Sequence, residues 1–148
     1  EGIQSQGVAA TVKHFALNNK ETDRKHSDSR VSERAAREIY LKAFEYVIKG
    51  AKPWAVMSSY NIINGCYASE NKELLEDILR DEWGFDGMVT TDWWTLGEHY
   101  KEVKAGNDMK MACGDPKRLK EAMDQGLLTR QDLEHCAERV LNLILKLD

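Results

Sequence analysis

The sequence has little cysteine and lacks the cysteine spacings that bind metals or build disulfide frameworks. Its 148 residues include three cysteines, which are far apart and form no CxxC pair: Cys66, Cys113 and Cys136. This pattern indicates free thiols rather than disulfides or a zinc site. Free thiols are typical of a reducing compartment, so we expect a cytoplasmic protein.

Long apolar runs and an excess of basic residues are also missing. The longest apolar run falls far short of the ~20 residues that a membrane helix needs, so no membrane association is expected. Lys and Arg number 21 against 25 Asp and Glu, a net charge of −4, which gives no reason to expect a nucleic-acid partner. No secretory signal precedes the first predicted strand, and we interpret the start at Glu1 as a cut end.

The residues that are present suit one compact domain. With 42% apolar and 31% charged residues, the chain does not have the low-hydrophobicity, high-charge composition of disordered proteins. A length of 148 residues is enough for one domain and too short for two ordinary ones.

Apolar runs typical of strands alternate with amphipathic helical segments. Strands are predicted at 8–15, 54–60, 87–91 and 105–111. Gly106, Asn107 and Asp108 weaken the pattern of the last one. The polar connection over 16–31 is long enough to indicate a functional or disordered loop. The alternation predicts an α/β fold with a parallel sheet and right-handed crossovers.

The first predicted helix has clear ends and one apolar face. Ser32 is a predicted N-cap, and Gly50 and Pro53 end the helix. Helical spacing predicts that its buried face consists of Ala36, Ile39, Tyr40, Ala43, Phe44 and Val47.

The later helices are predicted from similar signals. Asn71 is expected to cap a second helix that stops near Gly84, and Thr95 with Glu98 forms a predicted capping box for a short third one. Two helices over 117–125 and 129–147 end the chain, and the last has an apolar face of Leu133, Cys136, Ala137, Val140, Leu141 and Ile144.

Polar and aromatic side chains lie at the ends of three predicted strands. They are Lys13, His14 and Arg24 at the first, Met57 and Tyr60 at the second, and Asp92, Trp93 and Trp94 at the third. Because the carboxyl ends of parallel strands meet at one edge, we expect these side chains to lie close together. Charged groups suit sugar hydroxyls and a flat ring suits the C–H face of a sugar. From spacing alone, structural and functional interpretations of Asp92 are equally good.

Other kinds of site are disfavoured. The segment 84–87 has neither the GxGxxG spacing nor the lysine of a phosphate-binding loop. His26, His99 and His135 have no HExxH or comparable partner, so we expect no metal and no cofactor.

Three segments, in order, closely resemble glycoside hydrolase family 3 in its β-glucosidase branch. They are Val12-Lys-His-Phe-Ala-Leu-Asn-Asn-Lys-Glu-Thr-Asp-Arg24, Val56-Met-Ser-Ser-Tyr-Asn-Ile-Ile-Asn-Gly65 and Glu82-Trp-Gly-Phe-Asp-Gly-Met-Val-Thr-Thr-Asp-Trp93. The resemblance runs from about Gly7 to the C-terminus. It implies an enzyme that hydrolyses terminal β-D-glucosyl residues with retention of configuration.

The resemblance implies a role for each candidate residue. Asp92 corresponds to the nucleophile of the family's Ser/Thr-Asp-Trp motif. Lys13 and His14 would hold sugar hydroxyls, and Arg24 would be a substrate-site arginine. Met57 and Tyr60 match the Met-x-Ser-Tyr motif beside the nucleophile, and Trp93 would line the sugar pocket. Lys20, Asp23 and Thr91 depart from the common Gln, Asn and Ser without altering a catalytic group.

The resemblance also implies that the 148 residues are a fragment. They look like the second half of a TIM-type (β/α)8 barrel, about four β/α units of the family's N-terminal domain. The first half-barrel and a following α/β sandwich domain, which supplies the acid/base glutamate, would lie outside. We therefore expect the isolated chain to be inactive and to form homo-oligomers through its exposed edges.

Two other functions stay open on the sequence. One is a catalytically silent carbohydrate-binding or interaction module on the same scaffold. The other is a barrel lyase or aldolase that uses Lys13 for a Schiff base, which would need a lysine with a lowered pKa.

Overall fold

A parallel three-stranded sheet forms the centre of the computed structural model, which describes residues 1–147. These residues form the strands β1 (Thr11–Phe15), β2 (Asp28–Ser29), β3 (Ala55–Ser58), β4 (Ile62–Ile63), β5 (Cys66–Tyr67) and β6 (Met88–Thr91). The central sheet has the order β1-β3-β6, and both pairings are parallel. The prediction of an α/β fold with parallel strands is confirmed.

The predicted fourth strand over 105–111 is reduced to a single parallel bridge between Met109 and Thr90. The amides of Gly106 and Asn107 instead donate to the carbonyls of Val103 and Glu102, which closes the preceding helix. Gly106 adopts a left-handed conformation with φ of 101°. Backbone groups used in this turn are not available for a strand ladder, so the strand prediction is wrong for most of this segment.

The polar segment 16–31 is partly ordered by a second small sheet. Its residues Asp28 and Ser29 form β2, which pairs in parallel with β4, and β4 pairs with β5 in an antiparallel hairpin. Asn64 and Gly65 form the hairpin turn with φ of 49° and 88°. Two successive positive φ values are typical of the tight turns that Asn-Gly favours.

The helices of residues 1–147 pack on the sheet and form the last segments of the chain. The α-helices are α1 (Glu33–Ala35), α2 (Lys42–Ala51), α3 (His99–Lys104), α4 (Pro116–Asp124) and α5 (Arg130–Leu147); π-helices span Ala36–Tyr40 and Glu73–Glu82, and 3₁₀ turns span Gln4–Gln6 and Ala68–Glu70. Within this part of the chain no helix has the length and apolarity needed to cross a membrane.

Two of the predicted caps are confirmed and one is wrong. The Ser32 hydroxyl accepts from the Ala35 amide at 3.2 Å, and Asn71 accepts from the Leu74 amide at 3.0 Å. Thr95 and Glu98 form no capping box, because α3 begins at His99 without a side-chain cap. The Thr95 hydroxyl instead accepts a hydrogen bond from Lys110.

The predicted buried face of the first helical segment is right only in part, because Ala36 and Phe44 pack against the core and other members of the face do not. Ile39, Tyr40 and Val47 are exposed, whereas Leu41 and Ile48 are buried. The π-helix between α1 and α2 explains the difference. It uses hydrogen bonds to the fifth residue, as from the Leu41 amide to the Ala36 carbonyl, and this wider turn rotates the following residues around the helix axis.

The main core lies between the sheet and the helices. The Phe15 ring meets the rings of Phe44 and Trp83 edge-on, at centroid separations of 5.0 and 5.8 Å. Val56 of β3 and Val89 of β6 are completely buried beneath them. Each such apolar side chain contributes about 1.5–3 kcal/mol on burial, so this cluster fixes the positions of the three strands.

A buried ionic network joins the second π-helix to β6 and α5. Arg80 contacts the Asp108 carboxylate at 2.9 Å and donates to the Gly87 carbonyl at 2.8 Å. Arg139 reaches the other Asp108 oxygen at 3.2 Å, and the Val89 amide donates to Asp108 at 2.7 Å. This network supports the sheet below the end at which the candidate site lies.

Candidate active site

Asp92 directly follows β6, where the central strand ends meet, and its side chain is almost completely buried. One carboxylate oxygen accepts from the Trp93 amide at 2.7 Å. The other lies 3.4 Å from Nε2 of His14, which comes from β1. Strands at the two edges of the central sheet thus bring an imidazole and a carboxylate together, and the carboxylate is fixed by its neighbour's backbone.

Tyr60 follows the middle strand and completes the group. Its hydroxyl donates to the Trp93 carbonyl at 2.6 Å. Burial, with the nearby Asp92 carboxylate as a second cause, raises the pKa of the Tyr60 hydroxyl above its usual range. The hydroxyl therefore stays protonated at neutral pH and acts as a hydrogen-bond donor.

Arg24 reaches the site over the face of Tyr60. Its guanidinium carbon lies 4.6 Å from the centre of the Tyr60 ring, and Nη1 pairs with Glu21 at 2.8 Å. The half-buried arginine thus has one side on the aromatic ring and one on a carboxylate of its own loop. The ion pair that Arg24 forms is with Glu21, and Arg24 approaches Asp92 only through its contact with Tyr60.

Trp93 and Trp94 provide the aromatic surface beside the carboxylate. Their side chains are 45% and 56% exposed, and the ring centroids are 5.3 Å apart with an interplanar angle of 58°. Exposed indoles next to a buried carboxylate are suited to packing against the apolar face of a sugar.

Besides Arg24, two further predicted residues form no ion pair or hydrogen bond with the Asp92 carboxylate within residues 1–147. Lys13 is exposed, and no carboxylate of residues 1–147 forms an ion pair with it. Met57 is half-buried within β3, in register with Thr90 of β6. The peptide bonds Lys13–His14 and Phe15–Ala16 are cis.

Sequence reasoning missed two lysines that hold the segment after Asp92. Lys25 donates to the Trp94 carbonyl at 3.0 Å. Lys110 forms a buried ion pair with Glu102 and donates to Thr95 and the Gly97 carbonyl, each at 3.0 Å. These contacts join residues far apart in the sequence, and no local periodicity could have indicated them.

One apolar cavity lies away from the candidate site. An apolar cavity of about 310 Å³ lies between the two π-helices and the β4–β5 hairpin, and none of the predicted site residues line it. In residues 1–147 no three His, Cys, Asp or Glu side chains are grouped to hold a metal ion.

Comparisons with known proteins agree with the resemblance. Residues 1–143 match the model described as Glycosyl hydrolase family 3 N terminal domain. Beta-glucosidase A of Butyrivibrio fibrisolvens is 62% identical over 133 residues, which is 90% of this chain and 16% of that protein. An exo-alpha-(1->6)-L-arabinopyranosidase of Bifidobacterium longum is 45% identical over 147 residues, 99% of this chain and 19% of its own length.

A solved structure shows the same fold. Beta-glucosidase 3B from Thermotoga neapolitana, in complex with glycerol, superposes with a TM-score of 0.94 at 44% identity. The match covers 98% of this chain and 22% of that one, so the chain spans less than a quarter of the relatives it matches. The chain belongs to glycosyl hydrolase family 3.

Proposed function

We propose that the protein containing this chain hydrolyses terminal β-D-glucosyl residues with retention of configuration, and that Asp92 is its nucleophile. The observation that carries the proposal is the Asp92 carboxylate, buried at the end of a parallel strand and oriented by the Trp93 amide and His14. The relative that is 62% identical is named a beta-glucosidase, which supports the choice of sugar.

The proposed reaction has two displacements. In the first, an Asp92 oxygen bonds to the anomeric carbon while the glycosidic bond breaks, and an acid elsewhere protonates the leaving oxygen. In the second, the conjugate base of that acid takes a proton from water, and the water oxygen displaces Asp92 and releases glucose. The acid/base carboxyl would lie about 5–5.5 Å from Asp92 in a retaining enzyme. We place it outside this chain.

The surrounding residues have distinct proposed roles. His14 and Tyr60 keep the nucleophile and the Trp93 backbone in place, which lowers the reorganisation needed in the transition state. Lys13 and Arg24 would bind sugar hydroxyls by charge-assisted hydrogen bonds. Met57 and the Trp93 indole would form apolar walls of the pocket.

We infer further that the chain is the second half of a (β/α)8 barrel. Its three parallel strands and the bridge at Met109 account for four neighbouring strand positions. A barrel has no sheet edges, so the exposed edge at β1 would be covered by strands of the rest of the protein. The isolated chain would then lack both half of the pocket and the acid/base group, and we expect it to be inactive.

The test uses the complete reading frame that encodes this chain. Asp92→Ala should lower the hydrolysis of an aryl β-D-glucoside by at least ~10³-fold, since the covalent step is lost. Added azide should restore release of the leaving group and form an α-glucosyl azide. Asp86→Asn is the control, because Asp86 is an exposed carboxylate whose ion pair is with Lys146. Full activity of Asp92→Ala would contradict the proposal.

The same material distinguishes the other functions. A silent carbohydrate-binding module would bind glucose without turnover in the wild type. Because a relative is named an exo-alpha-(1->6)-L-arabinopyranosidase, an aryl α-L-arabinopyranoside is assayed beside the glucoside. Faster hydrolysis of the arabinoside would contradict the choice of sugar and leave the role of Asp92 intact.

A further inference from the structure

Lys25 connects the polar segment after β1 to the turn after Asp92. Its ammonium group donates to the Trp94 carbonyl at 3.0 Å and lies 4.9 Å from the centre of the Tyr60 ring. The lysine is half-buried, and its hydrogen bond to the Trp94 carbonyl is exposed to solvent. A single lysine therefore contacts two groups that surround the candidate nucleophile.

The turn at Trp93 and Trp94 needs external support. Trp94 has a φ of 52°, a left-handed conformation that side chains other than glycine seldom adopt. The Trp93 carbonyl is held by Tyr60 at 2.6 Å, whereas the Trp94 amide makes only a long contact of 3.4 Å to the Met111 carbonyl. The hydrogen bond from Lys25 is the shorter of the two that reach the Trp94 backbone.

A fixed turn fixes the backbone positions from which the two indoles project. The two rings are more exposed than most large apolar side chains, and they lie on the same loop as Asp92. An aromatic ring that is already oriented loses less conformational entropy when a ligand packs on it, which strengthens binding. The backbone contact of Lys25 is therefore expected to act on ligand binding through Trp94.

We propose that Lys25 is a positioning residue that fixes Trp94 as a second stacking surface, beside Trp93, for the leaving-group sugar of a β-glucoside. The inference rests on the proposed function for the identity of the ligand. It adds a residue that determines which leaving groups bind well: a sugar extends far enough to reach Trp94, and a single atom does not.

The experiment compares two substrates in the complete protein. Lys25→Met keeps the length of the side chain and removes its donor, and Lys20→Met makes the same change at an exposed lysine of the same segment. For cellobiose, Lys25→Met should raise KM about fivefold, the size of one net hydrogen bond, with kcat changed less than about twofold. For β-glucosyl fluoride, whose leaving group is one atom, both constants should stay at the wild-type values.

Additional variants separate positioning from a general structural effect. Lys25→Arg retains a donor and should recover most of the cellobiose affinity. Trp94→Ala should raise KM for cellobiose, and adding Lys25→Met to it should have no further effect, because the lysine acts through that residue. Lys25→Leu, which also lacks a donor, replaces the methionine variant if the latter fails to fold.

Three results would contradict the proposed role of Lys25. An unchanged KM for cellobiose in Lys25→Met, an equal rise for β-glucosyl fluoride, or additive effects with Trp94→Ala would overturn the inference. If the wild type turns over neither substrate, the proposed function fails. Quenching of tryptophan fluorescence by cellobiose then gives the Kd for the same variants and tests Lys25 separately.

Discussion

Nε2 of His14 lies 3.4 Å from the Asp92 carboxylate, although the two residues belong to strands at opposite edges of the central sheet. The middle strand continues into Tyr60, whose hydroxyl holds the carbonyl directly after Asp92. Each of the three strands thus contributes one side chain to the region around the Asp92 carboxylate. This convergence follows from parallel strand direction and is the structural basis of the predictions below.

Removing the imidazole should weaken catalysis. We expect His14→Ala to lower kcat/KM for an aryl β-D-glucoside by about 10²-fold, the scale of losing one preorganised group at a reacting centre. His26→Ala is the matched control, because His26 is an exposed histidine that pairs with Asp23 of its own loop. Steady-state kinetics of the complete protein measure both. Equal effects of the two changes would contradict a role for His14.

Removing the Tyr60 hydroxyl should also be costly. Tyr60→Phe leaves the Trp93 carbonyl without its 2.6 Å partner, and the loss of one such partly buried hydrogen bond costs about 0.5–1.5 kcal/mol. Since that carbonyl belongs to the turn after Asp92, we expect part of the loss as a lower kcat. Tyr46→Phe removes a hydroxyl from an exposed tyrosine and should change neither kcat nor the unfolding midpoint.

The parts of the fold that were predictable are those with a local signal. The three strands of the central sheet could be located because parallel strands contain largely apolar runs, and the caps at Ser32 and Asn71 carry short-range hydrogen-bonding patterns. Strand β2 could not be found, because two residues show no periodicity. The π-helix at Ala36–Tyr40 rotates part of the first helical segment away from the buried face that ideal α-helical spacing predicts.

The candidate site also has residues that could be predicted from the sequence and residues that could not. Parallel topology was enough to expect His14, Tyr60 and Asp92 at one edge. The contact of Lys25 with Trp94 depends on how a long polar segment folds back over the sheet, and residue type does not specify that path. The functional roles of all these site residues, Lys13 and Met57 included, remain predictions.

The buried network around Asp108 should contribute strongly to stability. Arg80→Met removes one of the two arginines that pair with the buried Asp108 carboxylate, and the loss of a partner from a buried ion pair typically costs about 3–5 kcal/mol. Arg130→Met removes an exposed partner of Glu134, and such pairs contribute about 0.3–0.5 kcal/mol. Urea denaturation of the complete protein compares the midpoints. Similar midpoints for the two variants would show that the network is not a stabilising element.

Cys136 should be unreactive in the folded protein. Burial raises the pKa of its thiol to about 12, so almost no thiolate is present at pH 8. A variant with Ser at positions 66 and 113 should react with a disulfide reagent only after unfolding. The unfolded thiol ionises near its usual pKa, so ionisation favours the unfolded state as the pH rises above about 8.5. Stability should therefore fall less steeply there in Cys136→Ala.

Besides the exposed sheet edges, the exposed face of α5 should contribute to self-association of the isolated chain. Leu141 and Leu145 are 58% and 71% exposed, and Ile144 lies between them. Covering two leucines contributes about 1.5–3 kcal/mol each, and a second copy of the chain offers the same apolar face in return.

Light scattering during size-exclusion chromatography measures the mass of the isolated chain, and we expect more than one copy at micromolar concentration. Leu141→Glu with Leu145→Glu should shift the mass toward one copy, because burying those carboxylates would cost more than the contact returns. Gln131→Glu with Asn142→Glu adds the same charge at exposed polar positions of α5 and should leave the association unchanged. A wild-type chain that elutes as a stable monomer would contradict the prediction of self-association.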